Sequence, residues 1–137
     1  MVSSKICDIL YIDDNNDDVY FFRRAFEKSA IPCAVHVVKT FPDAVLYLKG
    51  DVPYTDRARF PFPNLIVFDL ALRIADALAF IHWMRSEPAL ARIQLICLSA
   101  IDDPRKMNQI RELAVTVIPK SALFDDLLSL IRTVLPI

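Results

Sequence analysis

Five side chains have the types, and the places along the chain, to do phosphorus chemistry: Asp13 and Asp14, Asp69, Ser99 and Lys120. Three carboxylates brought close together repel one another and call for a cation. They are hard oxygen donors of the kind Mg²⁺ takes, alongside water and phosphate oxygens. One of them can serve instead as a nucleophile toward phosphorus and become an aspartyl phosphate. Lys120 would bring a compact positive charge to the phosphoryl group, and Ser99 a hydroxyl donor. Little covalent help is needed beyond this, because phosphoryl transfer depends mainly on positioning and charge neutralisation. Each residue alone has an ordinary reading: an acidic pair after a strand caps the next helix, and a Ser or Lys at a strand end is commonplace. The combination is what points to one chemistry.

These residues need a frame that brings them together. Five short apolar runs are read as strands: Ile6 to Ile12, Ala34 to Val38, Leu65 to Phe68, Ile93 to Leu98 and Val115 to Ile118. The last three are nearly continuous in apolar residues, as strands covered on both faces of a parallel sheet are. Between them lie segments of helical period. Asp17 to Ser29 spaces Tyr20, Phe21, Arg24, Ala25 and Lys28 by three and four, with Phe22 and Phe26 beside them. Phe41 to Lys49 puts Ala44, Val45 and Leu48 on one side and stops at Gly50. Asp76 to Ser86 carries Leu78, Ile81 and Met84. Asp102 opens a helix with Pro104 in its first turn and Met107, Ile110 and Leu113 facing inward. Ser121 is the expected cap of a last helix through Val134. Strand and helix alternate five times, which implies an α/β sandwich around a parallel sheet with right-handed crossovers. The segment Asp51 to Pro63, with three prolines and no helical period, reads as a surface loop. In such sheets the ligand crevice lies beyond the carboxyl ends of the strands, where the polar residues fall.

Composition removes several alternatives. At 137 residues the chain is expected to be one domain. A net charge of −1 lacks the basic field of a nucleic-acid binder. One glycine, Gly50, leaves no Gly-rich phosphate cradle. No apolar run approaches a membrane span, and Asp8 and Asp13 interrupt the amino-terminal stretch that a secretion signal would need. A cytoplasmic location is expected. Cys7, Cys33 and Cys97 show no metal or redox spacing and read as small buried hydrophobes. His36 and His82 are assigned to packing. A mean hydropathy of +0.36 exceeds what one small core hides, so an interaction face is expected.

Four segments together resemble the response-regulator receiver domain over essentially the whole chain. They are Leu10-Tyr11-Ile12-Asp13-Asp14-Asn15, Leu65-Ile66-Val67-Phe68-Asp69-Leu70, Ile96-Cys97-Leu98-Ser99-Ala100 and Val117-Ile118-Pro119-Lys120. The resemblance implies a flavodoxin-like (βα)5 fold, a doubly wound five-stranded parallel sheet of order 2-1-3-4-5. It implies that Asp69 accepts a phosphoryl group from the phosphohistidine of a sensor histidine kinase. Mg²⁺ would be held by Asp13, Asp14 and Asp69, with Asp14 a direct ligand and the backbone carbonyl of Ala71 a further one. Ser99 and Lys120 would contact the phosphoryl group. The chain departs from the family pattern at Arg73 and Ala77, where Pro and Gly are usual, and at Ser121, where Pro is usual. Leu113-Ala114 stands in place of a Gly-Ala pair, and Val117 in place of the switch aromatic. The loop before the third strand, with Trp83-Met84-Arg85 and Glu87-Pro88-Ala89-Leu90, is similar to the small regulators of bacterial phytochrome kinases, many of which dimerise.

The expectation is therefore a single receiver domain over residues 1–137 with no output domain, a two-component response regulator signalling to an unknown downstream protein by contact. Its signalling face, and a homodimer interface, are expected on the fourth helix, fifth strand and fifth helix, where Val115, Val117 and the Leu-rich last helix would leave an apolar patch. The alternative is an interaction module of the same fold that works without phosphorylation. A hydrolase is disfavoured because Ala71 stands where such enzymes carry a second acid. No independent substrate turnover is expected, only self-phosphotransfer and dephosphorylation at Asp69.

Overall fold

Each apolar run becomes a strand, and the first four segments of helical period become helices. The computed structural model describes residues 7–29, 31–69, 73–99, 104–119 and 129. In chain order its elements are β1 (Cys7–Ile12), α1 (Asn16–Ser29), β2 (Cys33–Val38), α2 (Phe41–Lys49), β3 (Leu65–Asp69), α3 (Ile74–Ser86), β4 (Gln94–Ser99), α4 (Pro104–Arg111) and β5 (Thr116–Pro119). Lys120, Ala71 and the helix expected from Ser121 lie outside the described residues. The five strands form one parallel sheet of order β2-β1-β3-β4-β5. β1 and β3 are buried along their whole length, because helices cover both faces. One face packs Leu10, Ile12, Ile66, Phe68, Leu95 and Cys97 under α2, α3 and α4. The other packs Ile9, Tyr11, Val67, Ile96 and Leu98 against Phe22 and Phe26 of α1.

The helices bury slightly different stripes from those read in the sequence. On α1 the buried residues are Phe22, Ala25 and Phe26, whereas Tyr20 and Phe21 are exposed. Aromatic residues at three consecutive positions, Tyr20, Phe21 and Phe22, cannot share one face, and the period alone does not say which of them joins Phe26 inside. α2 has the expected bounds. The Thr40 hydroxyl accepts from the Asp43 N–H at 3.1 Å, and Gly50 ends the helix in the left-handed region at φ 71°. A Cβ at Gly50 would also meet the Arg57 guanidinium at 3.0 Å.

Three further expectations need correcting. Arg57, within the segment read as a surface loop, is half-buried. It donates to the carbonyls of Tyr47 at 2.8 Å, Leu48 at 2.9 Å and Phe60 at 3.1 Å. It thereby gives the Leu48 carbonyl at the end of α2 a donor and adds a second donor to that of Tyr47, which also accepts from the Gly50 N–H. Tyr54 and Phe60 of the same loop pack beside Tyr47, with ring centroids 5.2 and 6.0 Å from it. Cys7 and Cys33 are not two separate small hydrophobes: they stand opposite one another on β1 and β2 and form a disulfide, their Cα atoms 4.7 Å apart. Cys97 alone is free and buried, as expected. His82 is exposed rather than packed, while His36 places Nε2 3.0 Å from Asp8 Oδ1. Val115 is buried and Val117 is partly buried against the core, while the last helix of the expected signalling face lies outside the described residues.

Arg57→Ala is expected to lower the unfolding free energy by about 1–3 kcal/mol, since buried carbonyls lose a charged donor. Arg57→Lys should recover only part of this, because a single ammonium cannot reach three carbonyls at once. Urea unfolding of the three proteins checks it, and equal midpoints for all three would show that the clamp is energetically idle.

Candidate functional site

The carboxyl ends of β1, β3 and β4 lie side by side because the strands are in parallel register: Ile12 opposite Phe68, and Asp69 opposite Leu98. The next residues along, Asp13 and Ser99, therefore reach the same crevice as Asp69, and all three are buried. The Asp13 N–H donates to the Val38 carbonyl at 3.1 Å, which fixes the chain as it leaves the sheet. Asn15 then turns it into α1. Its side-chain oxygen accepts from the N–H groups of Asp17 at 2.9 Å and Asp18 at 3.1 Å, a helix cap. The first turn of α1 thus delivers Asp18 to the crevice.

Asp13, Asp18 and Asp69 each offer a carboxylate oxygen, and the three atoms lie within 4.8 Å of one another. Asp13 and Asp69 come from the expected set, whereas Asp18 was not singled out from the sequence. The signal for it was present: the acidic run continues past Asn15, and a capped helix puts its first turn at the strand ends. Asp14 is exposed and outside this trio. It borders a shallow depression of about 420 Å³ with Lys39, Thr40 and Arg73. The pair Asp13-Asp14 is divided because neighbouring residues at a strand end point opposite ways.

Tyr11 is the second residue missed. It was read as a strand hydrophobe, yet its hydroxyl donates to Asp13 Oδ2 at 2.6 Å, and its ring stacks on Phe22 with centroids 4.1 Å apart. Burial first, then the hydrogen bond to Asp13, push the Tyr11 phenol far above its ordinary range, so its proton stays in place to be donated. The other Asp13 oxygen accepts from the Asn15 N–H at 2.9 Å. Burial raises the Asp13 pKa above the usual carboxylate range. The two hydrogen bonds pull it back, and the charges of Asp69 and Asp18 push it up again. The crevice therefore concentrates negative charge out of water, and three converging carboxylate oxygens match the donor set of a hard divalent cation.

No family model matches the chain, and no curated protein sequence matches it. Solved structures do. The phosphorylated cyanobacterial phytochrome response regulator RcpA is 27% identical with a TM-score of 0.75, covering 96% of this chain and 91% of its own. The bacteriophytochrome response regulator AtBRR has a TM-score of 0.76 at 23% identity, with 93% and 91% covered. The Mn²⁺-bound form of response regulator Rcp1 has a TM-score of 0.74 at 23% identity, with the same shares covered. The chain has the fold of response-regulator receiver domains, and the expected strand order is the observed one.

The raised Asp13 pKa makes metal-free stability pH-dependent with a defined sign. The folded state holds this proton more tightly than the unfolded chain. Asp13's contribution is therefore most favourable below the ordinary carboxylate value of about 4 and is lost as pH rises through its folded pKa. Tyr11→Phe removes a hydrogen bond that lowers that pKa, so the loss should move to higher pH, and Asp13→Asn should abolish it. Urea midpoints across a pH series in chelator check this; a shift to lower pH in Tyr11→Phe would contradict it.

Proposed function

We propose that the chain is a two-component response regulator whose Asp69 is phosphorylated by a sensor histidine kinase. The observation that carries the reading is the buried Asp69 at the end of β3, with Asp13 and Asp18 offering oxygens within 4.8 Å and Ser99 ending the next strand. In this reading an Asp69 oxygen attacks phosphorus of a phosphohistidine. The bond to the imidazole nitrogen breaks as the acyl phosphate bond forms. Ser99 donates to a phosphoryl oxygen, and Lys120, just past Pro119, pairs with the new charge.

Mg²⁺ is the proposed cofactor, and the donor set fits it: Asp13, Asp18 and Asp69 would hold the ion, with the Ala71 carbonyl a further ligand. The ion would offset the charge gathered on the phosphoryl and carboxylate oxygens. Asp14, on the rim, is assigned to the approach of the ion or of the donor rather than to the inner trio. The similarity to phytochrome regulators makes a phytochrome-type kinase the proposed partner. The output is proposed to be contact with a downstream protein, since phosphate on Asp69 adds charge at the carboxyl ends of β1, β3 and β4. No described helix is long and apolar enough to cross a membrane. A cytoplasmic site of action completes the proposal.

One observation favours the second reading, a module that works without phosphorylation. Val117 is a β-branched side chain already packed against the core, so no ring is present to swing inward. Equal affinity for a captured partner with and without modification of Asp69 would decide for that reading.

Two outcomes are expected. Acetyl phosphate with Mg²⁺ should add one phosphoryl group, read by intact mass, and Asp69→Asn should take none. No adduct on the parent, with acetyl phosphate or a panel of kinases, would sink the proposal. Asp18→Asn should weaken Mg²⁺ or Mn²⁺ binding, measured by calorimetry, by roughly ten- to a hundredfold. Unchanged affinity in Asp18→Asn together with a large loss in Asp14→Asn would return the site to the acidic pair.

A further inference from the structure

The disulfide lies at the end of the sheet away from the acidic crevice, and its two sulfurs differ in access. Cys7 is 1% exposed and belongs to β1, an interior strand of the sheet between β2 and β3. Cys33 is half-buried on β2, the edge strand, and forms part of an open depression of about 610 Å³. The other walls come from Phe26, Ile31, Pro32 and Val35, with Arg23 and Glu27 from α1. Both charged residues are exposed, one helical turn apart, and of opposite sign.

We propose that this depression is a thiol-exchange site, where a small zwitterionic thiol opens the Cys7–Cys33 disulfide and becomes attached to Cys33. Exchange requires a thiolate to approach one sulfur in line with the bond to the other. Cys7 and Cys33 face each other across adjacent strands in direct register, so that line runs from β1 through β2 and out past the edge of the sheet. Among the described residues no strand lies beyond β2. Attack at Cys33 is therefore open, while attack at Cys7 would have to come through the buried interior. Arg23 suits a carboxylate and Glu27 an ammonium, so a thiol carrying both is favoured over a neutral one.

The incoming sulfur bonds to Cys33 Sγ as the Cys33–Cys7 bond breaks. Cys7 leaves as a thiolate and takes a proton from water. The incoming sulfur is oxidised, and Cys7 is reduced. The reverse attack by Cys7 expels the ligand and restores the cross-link. Cys97 stays out of this exchange because it is buried in the opposite face of the sheet, where burial and the Asp69 charge push its thiol up to about 12. This inference does not rest on the acidic crevice and holds whether or not Asp69 is phosphorylated.

The test uses the full chain under native conditions, with reduced glutathione as the zwitterionic probe and 2-mercaptoethanol as the neutral one. Acid quench, alkylation and peptide mass mapping read the products. One glutathionyl group on Cys33 and one new alkylatable thiol at Cys7 are expected. Replacing both charges, Arg23→Ala with Glu27→Ala, should slow the glutathione reaction roughly tenfold and the mercaptoethanol reaction by less than about twofold. Arg23→Lys with Glu27→Asp should retain the glutathione rate and so controls for folding. The proposal is overturned if the adduct falls on Cys7 or Cys97, or if exchange needs denaturant. Equal slowing of both thiols, or three alkylatable thiols before any thiol is added, would overturn it too.

Discussion

Everything at the acidic crevice follows from one electrostatic constraint: three carboxylates are held within 4.8 Å of one another, and two of them are buried. Removing charge from water costs several kcal/mol per ion, and like charges at this distance add to the cost. The fold accepts it by spreading donors around the group. Tyr11 gives its hydroxyl to one Asp13 oxygen, and the Asn15 N–H serves the other. The amino terminus of α1, with Asn15 as its cap, turns the positive end of a helix dipole toward the same place. These contacts lessen the repulsion without cancelling it, and burial still holds the Asp13 carboxyl above its usual range. What remains is a standing demand for positive charge. A metal-binding pocket must keep such a demand if it is to bind an ion rather than neutralise itself.

The sheet meets this demand through register alone. Parallel strands joined by right-handed crossovers put all their carboxyl ends along one edge. That is why the ends of β1, β3 and β4 could be placed together from their sequence positions, and why the strand order matched. Apolar runs of four to seven residues separated by segments of helical period leave few other arrangements. The caps were equally legible, because Thr40 and Gly50 act through local chemistry that the chain displays directly.

What could not be read depended on contacts between distant segments. Arg57 looked solvated because nothing in its neighbourhood names the three carbonyls it meets, two of them nine and ten residues earlier. The disulfide needed the pairing of β1 with β2 to one-residue accuracy, and strand ends are where sequence patterns are least exact. Read from Ile6 and Ala34, the two cysteines fall out of step; with β1 and β2 starting at Cys7 and Cys33, they are opposite one another. Tyr11 was concealed by its own amphipathic nature: its ring satisfies the apolar pattern while its hydroxyl belongs to the site. Asp18 was concealed by its company, since Asp17 beside it is exposed and only the helix phase separates them.

Side-chain phase also governs how a phosphoryl signal would leave the crevice. Val117 stands opposite Cys97 in the β4–β5 register and already packs against the core. A β-branched side chain has little freedom at χ1 and no polar tip, so it has neither a second position to occupy nor a group to present on moving. Motion at this place would have to be carried by the backbone of β5 or by its neighbours. α1 is differently built. Asp18 lies in its first turn at the crevice, and one turn on, Tyr20 and Phe21 stand exposed with ring centroids 5.6 Å apart. A change in charge at Asp69 acts on Asp18 over a few ångströms and from there on rigid helical backbone, whereas Val117 offers no movable ring to relay it across the β5 face. Under the phosphorylation reading, α1 is therefore the better-connected surface.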